Sequence, residues 1–115
     1  SSDLANNFSE AEKIFSNLLK ADEKNQTFKI SLAYCYGKNG KIKKALDLYA
    51  QLISDNPDRS DILINYIYLL IAQNNLDEAE KNLLILKQNF PDLKEIKDLQ
   101  DRIYKSLGSD MEKTE

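Results

Sequence analysis

The sequence predicts an all-α fold of antiparallel helix hairpins, about six helices in all, and three observations predict it. Residues of one kind recur at a fixed step of 34: Ala11, Ala45 and Ala79; Phe15, Tyr49 and Leu83; Leu18, Leu52 and Leu86. Pro57 and Pro91, Ile30 and Ile64, and Tyr34 and Tyr68 keep the same step. A constant period of this length marks a stacked helical unit, written again and again. Only three Gly and two Pro interrupt 115 residues, too few turn formers for a sheet. Hydrophobic residues make up 42% and charged residues 30%, a balance that buries a core and keeps a solvated surface.

Each element then follows in order, with helices expected near 9–22, 26–39, 41–54, 59–73, 76–89 and 92–107. Ser9 with Glu12, Asp77 with Glu80 and Asp92 with Glu95 have capping-box spacing, in which side chains satisfy orphan amides at a helix start. Pro57 and Pro91 cannot continue a helix and so close the hairpins before them. The stretch "ILINYIYLLIA" from Ile62 to Ala72 is apolar nearly all round. Eleven residues fall well short of the roughly 20 that cross a bilayer, so it reads as a central helix touched on several sides. In the last helix Leu93, Ile96, Leu99, Ile103 and Leu107 form one apolar stripe, and charged residues cover the rest, as on a solvent-facing cap. Gly108 suits a left-handed stop, leaving 109–115 as an acidic flexible tail. The first helix carries Ile14, Phe15, Leu18 and Leu19 with no companion before it. Either the chain is a piece cut from a longer array, its leading Ser1-Ser2 a remnant, or this face meets another copy.

The period and its contents resemble the tetratricopeptide repeat (TPR), a helix–turn–helix unit. Residues 26–59 match best: Leu32, Ala33, Tyr36, Gly40, Ala45, Tyr49 and Pro57 stand in the family's slots. Residues 60–93 keep Ala79 and Pro91, with Tyr66, Ile67, Leu70, Asn74 and Leu83 elsewhere, while Lys29 and Leu63 depart from its tryptophan slot. Residues 6–25 hold only the second half of a unit, with Phe8, Ala11 and Phe15 in register, and 92–107 form a closing helix. The resemblance implies one repeat domain over 1–108, a right-handed superhelix, and a function in protein–protein binding.

A second apolar stripe asks for a role. On a helical wheel Phe28, Leu32, Cys35 and Tyr36 share one face, while Ile30 and Tyr34 lie nearly opposite. Ile64, Tyr68 and Ile71 repeat the arrangement. In proteins resembling TPRs these first-helix positions line a concave groove. The implied partner-binding residues are therefore Ile30, Tyr34, Ile64, Asn65, Tyr68 and Ile71, with Arg102 and Lys105 at the corresponding places of the last helix. The alternative is that they pack against neighbouring helices. Some TPR adaptors hold acidic chaperone C-termini in a clamp of Lys, Asn and Arg. Here Ile30, Ser31, Tyr34, Ile64 and Tyr68 occupy those positions, so the expected ligand is an apolar or aromatic segment.

Charge narrows the partner further. The net charge is −3, but residues 1–108 carry 15 basic and 16 acidic side chains, and a near-neutral body argues against nucleic acid. Lys38, Lys41, Lys43 and Lys44 cluster at one turn, either a solubilising edge or a basic rim that steers an acidic partner. There is no histidine and one cysteine, Cys35, so neither a zinc site nor a His-based catalyst is expected. "GKNGKIKK" lacks the P-loop spacing and reads as a helix–helix turn. An enzyme, a cofactor and a metal are not expected. The expected role is a scaffold module, with self-association through the first helix, or service as a regulatory appendage of a larger protein, as alternatives. Abundant Lys, Asn and Ile with two Arg is a habit of AT-rich genomes and points towards a bacterium. No targeting segment is visible, so cytoplasm and periplasm both stay open.

Overall fold

Six α-helices lie among the described residues of the computed structural model, which cover 2–114, with side chains described for 7–108. They are α1 Ser2–Ala21, α2 Gln26–Lys38, α3 Ile42–Asp55, α4 Ser60–Ala72, α5 Leu76–Asn89 and α6 Glu95–Thr114. The chain is all-α and divides into two compact units, Ser1–Asp58 with α1 to α3 and Arg59–Glu115 with α4 to α6.

The hairpin turns repeat atom for atom at the 34-residue step. After α2, Gly40 takes φ 78, and after α4, Asn74 takes φ 57. Only Gly, and less readily Asn, adopts this left-handed backbone without a large penalty. In the first turn the Asn39 and Lys41 amides donate to the carbonyls of Cys35 and Tyr36, both at 2.9 Å. In the second the Gln73 amide donates to Leu69 at 3.0 Å and the Asn75 amide to Leu70 at 2.9 Å. The bond reaching back five residues closes a Schellman-type end in each case and satisfies carbonyls that the helix leaves orphaned. At the other ends α3 and α5 stop at Asp55 and Asn89, and their cap residues Asn56 and Phe90 stand immediately before Pro57 and Pro91.

Within each hairpin the smallest residue sits at the crossing. Ala33 and Ala45 are both 0% exposed, as is Ala79 on α5. Around them unit 1 buries Leu32, Cys35, Tyr49 and Leu52, and unit 2 buries Ile62, Ile67, Leu70, Leu83, Leu86, Leu99 and Ile103. Each large aliphatic side chain so placed contributes about 1.5–3 kcal/mol. Burial pushes the Tyr49 phenol up to about 12.

Helix ends depart from the capping-box reading. α1 already runs through Ser9 and Glu12, so their spacing marks no start. α5 begins at Leu76 with Asn75 as cap residue and no side-chain cap bond, and α6 begins at Glu95, three residues beyond Asp92. The side-chain cap that does form is Asn25, whose Oδ1 accepts from the Phe28 amide at 2.9 Å. α6 also continues through Gly108 to Thr114. A glycine inside a helix costs about 1 kcal/mol relative to alanine, which one position tolerates. The side chains of 109–115, where the acidic tail was expected, lie outside the described residues.

Candidate functional site

In unit 1 the second stripe of α2 is solvent-facing at its centre. Tyr34 is 43% exposed, although it lies on a helix that buries Leu32, Ala33 and Cys35. One ring edge meets Phe8 of α1, with centroids 5.9 Å apart and planes at 62°, and the Lys38 ammonium stands 5.4 Å from its centroid. Ile30, one turn earlier, is half-buried. The ring is therefore propped from below and held in place, with much of its surface open.

The four rim lysines are all exposed, and each has a neighbour within the unit. Lys38 lies over Tyr34, and Lys44 stands 5.7 Å from the Tyr36 centroid. Lys43 pairs with Asp47 at 2.9 Å, and Lys41 Nζ donates to Glu12 Oε2 at 2.6 Å. Asn39 Nδ2 donates to Glu12 Oε1 at 2.9 Å and to the Phe8 carbonyl at 3.1 Å, tying the α2–α3 turn to α1. Partial burial tends to raise the Glu12 carboxyl, but the bonds from Lys41 and Asn39 outweigh it and hold it below the usual range. Cys35 is buried and its thiol is raised, first by desolvation and then by Glu12, the opposite of what a reactive thiolate needs.

In unit 2 Tyr68 and Arg102 meet, as their common repeat slot implies, through a residue the sequence reading passed over. Tyr68 Oη donates to Asp98 Oδ2 at 2.7 Å, and Arg102 Nε donates to the same oxygen at 2.7 Å. The guanidinium also stands 5.3 Å from the Tyr68 ring centroid, a cation–π contact. Hydrogen bonds from Tyr68 and Arg102 pull the Asp98 carboxyl below its ordinary value. Desolvation, then the Asp98 bond, raises the Tyr68 phenol. Asp98 was legible in the sequence: it lies four residues before Arg102, the spacing of a helical ion pair. Of the other expected groove residues, Asn65 and Ile71 are half-buried, Lys105 is exposed, and Ile64 is buried at 8% exposure.

A further groove of about 380 Å³ runs between α5 and α6, lined by Leu83, Leu84, Lys87, Gln100, Tyr104 and Leu107 among others. Leu84 is 55% exposed and Tyr104 76%. Nothing in the sequence reading singled it out, because Tyr104 stands off the apolar stripe assigned to a solvent-facing cap.

The profile described as Tetratricopeptide repeat matches residues 4–58 and again 38–103. The chain belongs to the tetratricopeptide repeat family. The two matches begin 34 residues apart, the same step that relates the turns at Gly40 and Asn74. No curated protein and no solved structure matches the chain. TPR units mediate protein–protein interaction and are not themselves catalytic modules. Among the described residues there is no group of three or more metal-ligating side chains, and no helix long and apolar enough to cross a membrane.

Proposed function

We propose that this TPR chain is a scaffold module that receives an apolar or aromatic peptide or helix of a partner protein on its first-helix faces. In unit 1 the receiving residues are Ile30 and Tyr34. In unit 2 they are Asn65, Tyr68 and Ile71, flanked by Arg102 and Lys105. The observation that carries this is the exposure of Tyr34, a large ring propped by Phe8 and Lys38 on a helix whose other face is core. Preorganised tyrosines suit recognition because they offer area and a hydroxyl at small entropic cost. Tyr68 differs in chemistry. Its hydroxyl and one face are engaged by Asp98 and Arg102, which favours a ligand lying along the ring edge beside a charged pair.

A display library of random peptides, selected on the immobilised chain, tests this. Synthesised winners are titrated by calorimetry against the wild type, Tyr34→Ala and Tyr68→Ala. A hot-spot tyrosine contributes about 2 kcal/mol, so affinity should fall roughly 30-fold in at least one variant. Winners that bind both variants as tightly as wild type would place recognition on another surface.

A second reading, self-association through α1, is favoured by one observation: Ile14 is 54% exposed and Leu18 39%.

A further inference from the structure

The helices fall into two kinds when aligned by the 34-residue step. α2, α4 and α6 take the first position of a unit; α1, α3 and α5 take the second. By this alignment α1 is a second helix and α6 a first helix, and each carries exposed large side chains: Ile14 and Leu18 on α1, Tyr104 on α6. Ala11, Phe15 and Leu18 of α1 share slots with Ala45, Tyr49 and Leu52 of α3, and with Ala79, Leu83 and Leu86 of α5. The residues on α3 and α5 are all buried, whereas Ala11 and Phe15 are half-buried and Leu18 is 39% exposed. Tyr104 of α6 shares its slot with Tyr36 and Leu70. Leu70 is 1% exposed beside its own second helix, Tyr36 is half-buried, and Tyr104 is 76% exposed.

We infer that α1 of one copy docks in the α5–α6 groove of a second copy, so that two half-units complete one repeat. This rests on the second reading above and goes beyond it by naming the surface that receives α1. Unit 1 supplies the template for the joint, since α3 packs there on α2 and borders a groove with α1. A groove of about 600 Å³ is bordered by Ser16 and Leu19 of α1, Leu32 and Tyr36 of α2, and Asp47 and Leu48 of α3. Shifted by 68 residues, the α1 and α2 positions become Leu84, Lys87, Gln100 and Tyr104, four residues lining the α5–α6 groove. Shifted back by 34, Asp47 and Leu48 become Lys13 and the exposed Ile14.

One residue makes this joint weaker than those inside the chain. Asp101 stands where units 26–59 and 60–93 have Ala33 and Ile67, both 0% exposed. It is paired with Lys97 at 2.9 Å on its own helix. Desolvating the carboxylate at a helix crossing opposes docking, and the Lys97 pair offsets only part of that cost. The association is therefore concentration-dependent. Because the two surfaces differ, the contact is heterologous, joining the α1 end of one copy to the α5–α6 end of another.

Sedimentation equilibrium of the whole chain over a concentration series reaching the millimolar range tests this. The weight-average mass should rise with concentration above the monomer value. Ile14→Glu and Leu84→Glu, both at exposed positions and each checked for helicity by circular dichroism, should each remain monomeric alone. Mixed together they should form a one-to-one dimer, since one retains the groove and the other retains α1. Asp101→Ala, which installs the residue of the 26–59 unit, should shift the association to at least tenfold lower concentration. A wild type that stays monomeric throughout overturns both this inference and the second reading. Association abolished by Ile14→Glu but untouched by Leu84→Glu overturns the inference alone, as does a mixture that fails to dimerise.

Discussion

Replacing the same repeat-slot leucine by alanine in three places should give three unequal costs. Leu18, Leu52 and Leu86 share one slot, yet Leu52 and Leu86 are 0% exposed and Leu18 is 39% exposed. Leu→Ala removes three carbons, about 0.8 kcal/mol each when fully buried, or about 2.4 kcal/mol of transfer free energy. A cavity term adds to this where neighbours cannot relax, bringing fully enclosed leucines to about 3–4 kcal/mol. At Leu18 more than a third of that transfer term is absent, and water fills the space left behind, so about 1–1.5 kcal/mol is expected. Urea denaturation followed by circular dichroism at low micromolar concentration reads the three values with the chain dissociated. At about 4 °C per kcal/mol for a chain of this length, Leu52→Ala should lower the melting temperature by about 12 °C, and Leu18→Ala by about 5 °C. A Leu18→Ala cost equal to that of Leu52→Ala would refute the claim that the α1 face is uncovered in the free chain.

Four further outcomes follow from particular contacts. Gly40→Ala places a Cβ in open space, so its cost is that of a left-handed backbone alone, about 1–2 kcal/mol by denaturation. Ala79→Leu, at a helix crossing with no free surface, should cost about 1–3 kcal/mol through overpacking in the same assay. Glu12 is depressed in the folded state, so its contribution is present above the unfolded value near 4.5 and lost as pH falls through the lower folded value. Glu12→Gln should therefore be about 1 kcal/mol less stable than wild type at pH 7 and converge with it in acid, as read by urea midpoints across a pH series. Tyr68→Phe should let the Asp98 carboxyl titrate at higher pH than in wild type, visible by carbon-detected NMR, because the first of its two stabilising hydrogen bonds is gone.

The parts legible in the sequence were those fixed by the repeat itself, where one residue type solves one steric problem each time it recurs. Gly40 and Asn74 take the left-handed turn, Ala45 and Ala79 take the crossing, and Pro57 and Pro91 close the hairpins. Such positions are over-determined, because chirality, close packing and a missing amide each admit few residues. What escaped was polar and depends on approach between distant helices. Ser9 and Glu12 have a capping-box spacing, but Glu12 spends its two oxygens on Asn39 and Lys41, and no local pattern distinguishes the two uses. Spacing alone pairs Asp98 with Arg102, but its bond to Tyr68 on another helix escaped for the same reason. Tyr104 escaped differently: the apolar stripe of α6 was complete without it. Its slot, shared with Leu70 and Tyr36, was the signal available in the sequence. A period therefore predicts more than which residues form the core. It also marks residues such as Leu18, 39% exposed where Leu52 and Leu86 are 0% exposed, and Tyr104, 76% exposed where Leu70 is 1% exposed: one slot, filled alike, meets a different environment from unit to unit.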